Sequence, residues 1–256
     1  MRLAINMTLT TCFNEDIMEL LDQAIGNIAC DIPGATRIFH QHKLDFCCGG
    51  GVSLRQAAAK RGVDETALVQ RLERLRQHST TERDWRDAPA AELIEHILRR
   101  FHERHREQLP ELVRLARRVE NAHGDKPNCP VGLADHLAFM EQDLESHMIK
   151  EERILFPMLQ QGRYAPSLPP IARMRSEHDD HGTSLARLEE LTDDITPPPG
   201  ACTTWRALYL GLTQMREDLM QHIHLENNVL FARIEQQAEW TGAADSTGSA
   251  GCSVCG

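Results

Sequence analysis

Two ten-residue stretches, HMIKEERILF from His147 to Phe156 and HIHLENNVLF from His222 to Phe231, constrain this chain more than any other feature. Each carries a histidine, a glutamate four residues later and a Leu-Phe pair beyond, and the two copies lie 75 residues apart. Asp143 and Asp218 extend both backwards, giving D-x-x-x-H-x-x-x-E-x-x-x-L-F. Four residues advance an α-helix by about 400°, so each set stacks along one helix face. On that register Glu151, rather than Glu152, is the partner of His147. A single H-x-x-x-E on a helix is ordinarily a solvated pair. Here the Leu and Phe put both copies beside an apolar stripe, where unpaired ionisable groups cost several kcal/mol.

Two further helical segments repeat as well. His102 and His105 form H-x-x-H, as do His178 and His181, with 76 residues between the copies. His147 follows His102 by 45 residues and His222 follows His178 by 44, so two helix pairs are related by a pseudo-twofold. Metal is the economical way to bury such carboxylates and imidazoles together. Four histidines and two glutamates suit iron, manganese or zinc, whereas calcium and magnesium prefer oxygen shells. Divided between two metals, the set gives each two imidazoles, with both carboxylates free to bridge. Periodicity does not settle which histidine of each H-x-x-H takes part: the face through Ile94, Ile97, Leu98, Phe101 and Leu112 centres nearer His105 than His102. His178 and His181 flank their stripe about equally.

The rest of the chain gives these helices a setting. Residues 14–78 read as a small helical domain with the turn DFCCGGG, and 79–88 as a linker in which Asp87 caps a helix and Pro89 enters its first turn. Residues 89–238 carry four long helical patterns, 89–121, 133–161, 169–194 and 202–238, broken by DKPNCPVG, GRYAPSLPP and TPPPGAC. Pro110 is expected to kink the first. Joints this short predict an all-α, up-down-up-down four-helix bundle. Residues 239–256 read as a disordered tail ending in a Cys252-Cys255 C-x-x-C pair.

A net charge of −10 over 256 residues and 5% aromatic content argue against nucleic acid or an anionic membrane as partner. No apolar run reaches the ~20 residues of a membrane span, and no signal peptide is evident. Eight scattered cysteines, two of them adjacent, argue for a reducing cytoplasm rather than a disulfide framework. Cys47 and Cys48 precede a helix capped by Ser53; glycines would leave their thiols uncovered, and the helix N-terminus would lower a thiol pKa. They are candidate reactive thiols for accepting NO, passing iron or docking a client.

The fragments FHERHREQLPEL, CPVGLADHL, SHMIKEERILFPML, SEHDDHG, TPPPGACTTW and HIHLENNVLF together resemble the hemerythrin-like di-iron proteins of the repair-of-iron-centres family. FHQHKLDFCCGGGVSLRQAA resembles that family's N-terminal domain, and the likeness runs from about residue 31 to 236. The resemblance implies imidazole ligands at His102, His147, His178 and His222 and bridging carboxylates at Glu151 and Glu226, around two iron ions with an oxo or hydroxo bridge. It favours His102 over His105, a rotation that a kink at Pro110 would explain. Asp143 and Asp218 are then candidates for orienting the ligand histidines. The implied function is repair or protection of iron–sulfur proteins damaged by nitric oxide or oxidative stress, by iron delivery, NO binding or both. An NO- or O2-binding sink or sensor and an NO reductase are the rival readings. A homodimer is left open.

Overall fold

The computed structural model describes residues 18–77 and 84–247; Cys12 and the Cys252-Cys255 pair lie outside them, as does the first half of the expected linker. The chain divides into two compact units between Asp87 and Ala88. Among the described residues there is no strand, only an isolated bridge between Ala24 and Ser53.

Among the described residues the N-terminal unit packs α1 (Ile25–Asp31), α2 (Ala35–Gln41), α3 (Leu54–Arg61) and α4 (Glu65–Gln77) after a helical turn at 18–22. Its core is formed by Ile25, Ile28, Ile38, Phe39, Phe46, Leu54, Leu68 and Leu72, all buried. Ser53 starts α3 with a reciprocal capping box to Gln56, which satisfies two otherwise orphaned N–H groups. Asp64 does the same work for α4, its Oδ1 accepting from the Thr66 and Ala67 amides.

The second unit is built from four helical rods. The first joins α5 (Ala90–Ile97) to α6 (Glu103–His123) through a π turn at Leu98–His102. The second joins α7 (Leu133–Lys150) to α8 (Phe156–Gln160) through a π turn at Glu151–Leu155. The third is α9 (Tyr164–Leu191), and the fourth joins α10 (Thr203–His224) to α11 (Ala232–Thr247) through a π turn at Leu225–Phe231. The first rod packs on the second and fourth and the third rod packs on the same two, the arrangement of a four-helix bundle. Gly211 permits close approach of the first and fourth rods, since a Cβ there would lie 2.7 Å from Leu112 Cδ2.

Four boundaries depart from the sequence reading. Pro89 itself occupies the cap position before α5, with no side-chain cap from Asp87. Pro110 lies within a continuous α6, on its exposed side, and the interruption falls instead at the π turn before it. Helix α9 begins at Tyr164 rather than 169, because Pro166 sits in the first turn, where an N–H has no helical acceptor anyway. The stretch after 238 stays helical to Thr247, consistent with the good helix former Ala at 243 and 244.

Candidate metal centre

The π turns place the bundle's buried ionisable groups. Each inserts an extra residue into the helical repeat and so shifts the phase of the residues beyond it. This is why a continuous 3.6-residue stripe points to His105: the insertion at Leu98–His102 separates the stripe from the second half of the first rod. His102 and His105 are both fully buried, but only His102 joins the carboxylates.

Six side chains converge, as two groups of four that share two members. His102 and His222 form one group with Glu151 and Glu226; His147 and His178 form the other with the same two glutamates. Within each group the candidate ligand atoms lie within 4.8 Å of one another. Glu151 turns Oε2 towards His102 Nε2 and Oε1 towards His147 Nε2, both at 3.4 Å. Glu226 turns Oε1 towards His222 Nε2 at 3.0 Å and Oε2 towards His178 Nε2 at 3.1 Å. Each carboxylate therefore offers one oxygen to each half.

The donor chemistry demands positive charge. Glu151 and Glu226 are completely buried, and neither oxygen of Glu151 is hydrogen-bonded. His102 Nδ1 donates to Glu152 Oε1 at 2.8 Å and His147 Nδ1 to Glu177 Oε2 at 2.9 Å. A carboxylate only accepts, so in the neutral rings these bonds leave the Nε2 lone pairs aimed inwards. His102 Nε2 faces His222 Nε2 at 3.2 Å, and His147 Nε2 faces His178 Nε2 at 3.1 Å. In the His147–His178 pair, where Glu177 and Asn227 oxygens take both Nδ1 protons, the opposed lone pairs repel unless a proton or metal lies between them, whereas His222 Nε2 donates to Glu226 Oε1.

The proton affinities agree. Burial opposes charge on His102, but pairing with Glu151 and Glu152 outweighs it and raises the pKa to about 9. Burial is likewise overcome at His147 by Glu151 and Glu177, giving about 10. Burial and mutual repulsion also oppose ionisation of Glu151 and Glu226, yet the histidines hold both carboxyls below their ordinary range. The donor set thus fits a resident cation centre of imidazole and carboxylate type.

Residues 93–234 match the family described as hemerythrin HHE cation binding domain, over half of the chain. The chain belongs to the hemerythrin family. Ahead of the hemerythrin domain, residues 21–76 match ScdA_N, a domain of unknown function. Across 216 residues, 84% of this chain and 98% of the relative, the hemerythrin domain and its N-terminal neighbour are 53% identical to the iron-sulfur cluster repair protein YtfE of Dickeya chrysanthemi. The YtfE proteins of Citrobacter koseri and Escherichia coli O1:K1 are 50% and 48% identical over the same coverage. The chain is thus a hemerythrin-family member of the YtfE group. Hemerythrin domains of this kind bind non-haem iron, and among the described residues no helix is long and apolar enough to cross a membrane.

Around the converging histidines and glutamates the outer partners differ from those expected. Asp143 pairs with His181 Nδ1 at 3.2 Å, and Asp218 with Arg100 at 2.6 Å; neither reaches His147 or His222. The groups that orient the cluster are Glu152 on His102, Glu177 on His147 and Asn227, whose Oδ1 lies 2.9 Å from His178 Nδ1. All three sit next in sequence to a converging residue but act on a different rod. Burial drives the pKa of His105 well down, and that of His181 to about 3, so both are neutral packing partners beside the cluster.

In the N-terminal unit, Cys47 and Cys48 lie 3.8 Å apart, sulfur to sulfur. Cys47 is not uncovered, at 5% exposure, and its thiol is pushed well up rather than down. A hydrogen bond to Cys48, burial and the neighbouring Asp45 all raise it, and together they exceed any help from the N-terminus of α3.

Proposed function

We propose that the bundle carries two iron ions, one held by His102 and His222, the other by His147 and His178, with Glu151 and Glu226 bridging them. The observation that carries this reading is that each carboxylate presents one oxygen to each histidine pair. When bound, the iron pair supplies open positions for a small ligand such as NO or O2, and a store of iron. Around it the chain's own residues hold the geometry. Glu152, Glu177 and Asn227 fix the ligand rings, while Phe101 and Phe231 stack on His222 and His178 and exclude water.

The activity proposed is repair of iron–sulfur proteins damaged by nitric oxide or oxidation, in the cytoplasm, in keeping with the iron-sulfur cluster repair role for which its half-identical relatives are named. The test has two parts. Iron content and absorption spectrum of wild type are compared with Glu151→Ala and His222→Ala; full iron retention by both variants overturns the ligand set. A nitrosylated or oxidised [4Fe–4S] dehydratase is then incubated with the iron-loaded protein or with an equal amount of free iron. Recovery above the free-iron control is expected, and equal recovery overturns the repair assignment. Catalytic N2O formation over many turnovers would instead mark an NO reductase, and stoichiometric NO uptake without recovery a sink.

A further inference from the structure

The bundle cluster is not the only place among the described residues where metal-ligating atoms converge. Asp45, Cys47 and Cys48 also bring a carboxylate oxygen and two sulfurs within 4.8 Å of one another. The turn that carries them is fixed on both sides. Ile25 N–H donates to Val52 O at 2.9 Å, Gly26 N–H to Gly50 O at 2.8 Å and Leu54 N–H to Gln23 O at 3.0 Å, tying the glycine-rich loop to the start of α1. Asp45 Oδ1 accepts from the Cys48 amide at 3.0 Å and from Cys47 Sγ at 3.4 Å. Gly49 leaves room for that carboxylate, since a Cβ there would lie 3.0 Å from Asp45 Oδ2.

The spacing of these atoms is informative. Sulfurs 3.8 Å apart are far outside the roughly 2.05 Å of a disulfide. Two thiolates on one tetrahedral metal, each with a bond of about 2.3 Å, stand about 3.8 Å apart. A sulfur and a carboxylate oxygen on the same metal, at about 2.3 and 2.1 Å, stand about 3.6 Å apart; Cys47 Sγ and Asp45 Oδ1 are at 3.4 Å. Two edges of the set therefore already match a face of a tetrahedral site, and the third lies within 4.8 Å.

We infer that Asp45, Cys47 and Cys48 form a second metal site, three donors for one thiophilic divalent cation with a fourth position open to an external ligand. Binding replaces two thiol protons by one M2+, so two thiolates and a carboxylate hold the ion and two protons go to solvent. Its three donors all belong to the N-terminal unit, and the open position is where a ligand from another molecule can enter or leave. Cys47 and Cys48 act in it as a chelating pair rather than as separate nucleophiles.

The test uses full-length, iron-loaded protein carrying Cys252→Ser and Cys255→Ser, so that the C-terminal thiols contribute nothing. Under reducing conditions Co2+ is added as the probe. One equivalent is expected to bind with a thiolate-to-cobalt charge-transfer band and tetrahedral d–d bands, releasing two protons. Cys47→Ser or Cys48→Ser should abolish the band, and Asp45→Asn should weaken binding by about 10-fold. Unchanged helical circular dichroism and an unchanged protease-digestion pattern of the N-terminal unit check that each variant remains folded. A measurement that needs no variant in the turn uses Zn2+ to protect Cys47 and Cys48 from alkylation, read by peptide mass spectrometry. A charge-transfer band that survives both cysteine substitutions, or alkylation unaffected by Zn2+, overturns the site. Neither result bears on the bundle ligands, whose loss is read from iron content.

Discussion

The two halves of the bundle cluster share both carboxylates and are written by the same sequence repeat, yet they are supported differently. In the His147–His178 half both imidazoles are oriented from outside, His147 by Glu177 and His178 by Asn227. Glu177 is itself braced by Lys150 at 2.6 Å and Arg173 at 2.7 Å. In the His102–His222 half, Glu152, braced by Arg106, holds only His102. The His222 Nδ1 is buried without a hydrogen-bond partner, and its ring lies instead against Phe101, 5.4 Å away and nearly parallel. Phe101 occupies the place in the first rod that Glu177 occupies in the third, one residue before the histidine. The repeat thus keeps the donors while their surroundings differ, and orientation of a ligand ring is what an outer partner contributes to metal affinity.

The largest effect expected is common to both halves. Glu226→Ala removes an oxygen from each and should reduce bound iron to about a tenth of wild type or less, measured by metal analysis after desalting. Iron retained at the wild-type level would break the claim that the halves are joined. Next comes the difference itself. Chelation of the loaded wild type should proceed in two phases, the faster from the His102–His222 half. Glu177→Ala should speed the slower phase by about 10–100-fold and merge the two. Asn227→Ala should act on the same phase more weakly, by about 10-fold, because a neutral amide orients a ring less strongly than a braced carboxylate. A single release phase in wild type would erase the distinction.

The smallest effect concerns pH in the iron-free protein. The hydrogen bond to His102 and the field of Arg106, against the cost of partial burial, lower the Glu152 pKa from 4.5 to about 2. A depressed carboxyl contributes stability that is complete above its ordinary value and is lost as pH falls through the folded one. Glu152→Gln should therefore flatten the acid side of the stability curve between those two pH values, a change of about 2–4 °C in Tm per kcal/mol lost. Glu177, held lower still by His147, Lys150 and Arg173, should keep its contribution to more acidic pH. Identical acid profiles for the two Gln variants would remove that contrast.

What is legible in the sequence is what a single helix encodes. Four-residue spacing brings His147 near Glu151 and His222 near Glu226 because both members ride on one rod. The all-α bundle comes from four amphipathic patterns and short joints. What stays hidden depends on register between rods. Glu152, Glu177 and Asn227 act across the bundle, and no spacing along one helix shows which neighbour they meet; their only visible mark is adjacency to a repeat residue. By periodicity His105 is more central than His102 because the π turn before it is marked by neither glycine nor proline. At Cys47, the helix N-terminus is legible, but the burial and the carboxylate that oppose it are not.

Glu151 and Glu226 also have a mechanical consequence. They stand on the second and fourth rods, which lie diagonally across the bundle, each packed on the first and third. A cation shared between them is a cross-brace on that diagonal. Filling the centre would then tie these two rods together as well as supply its chemistry.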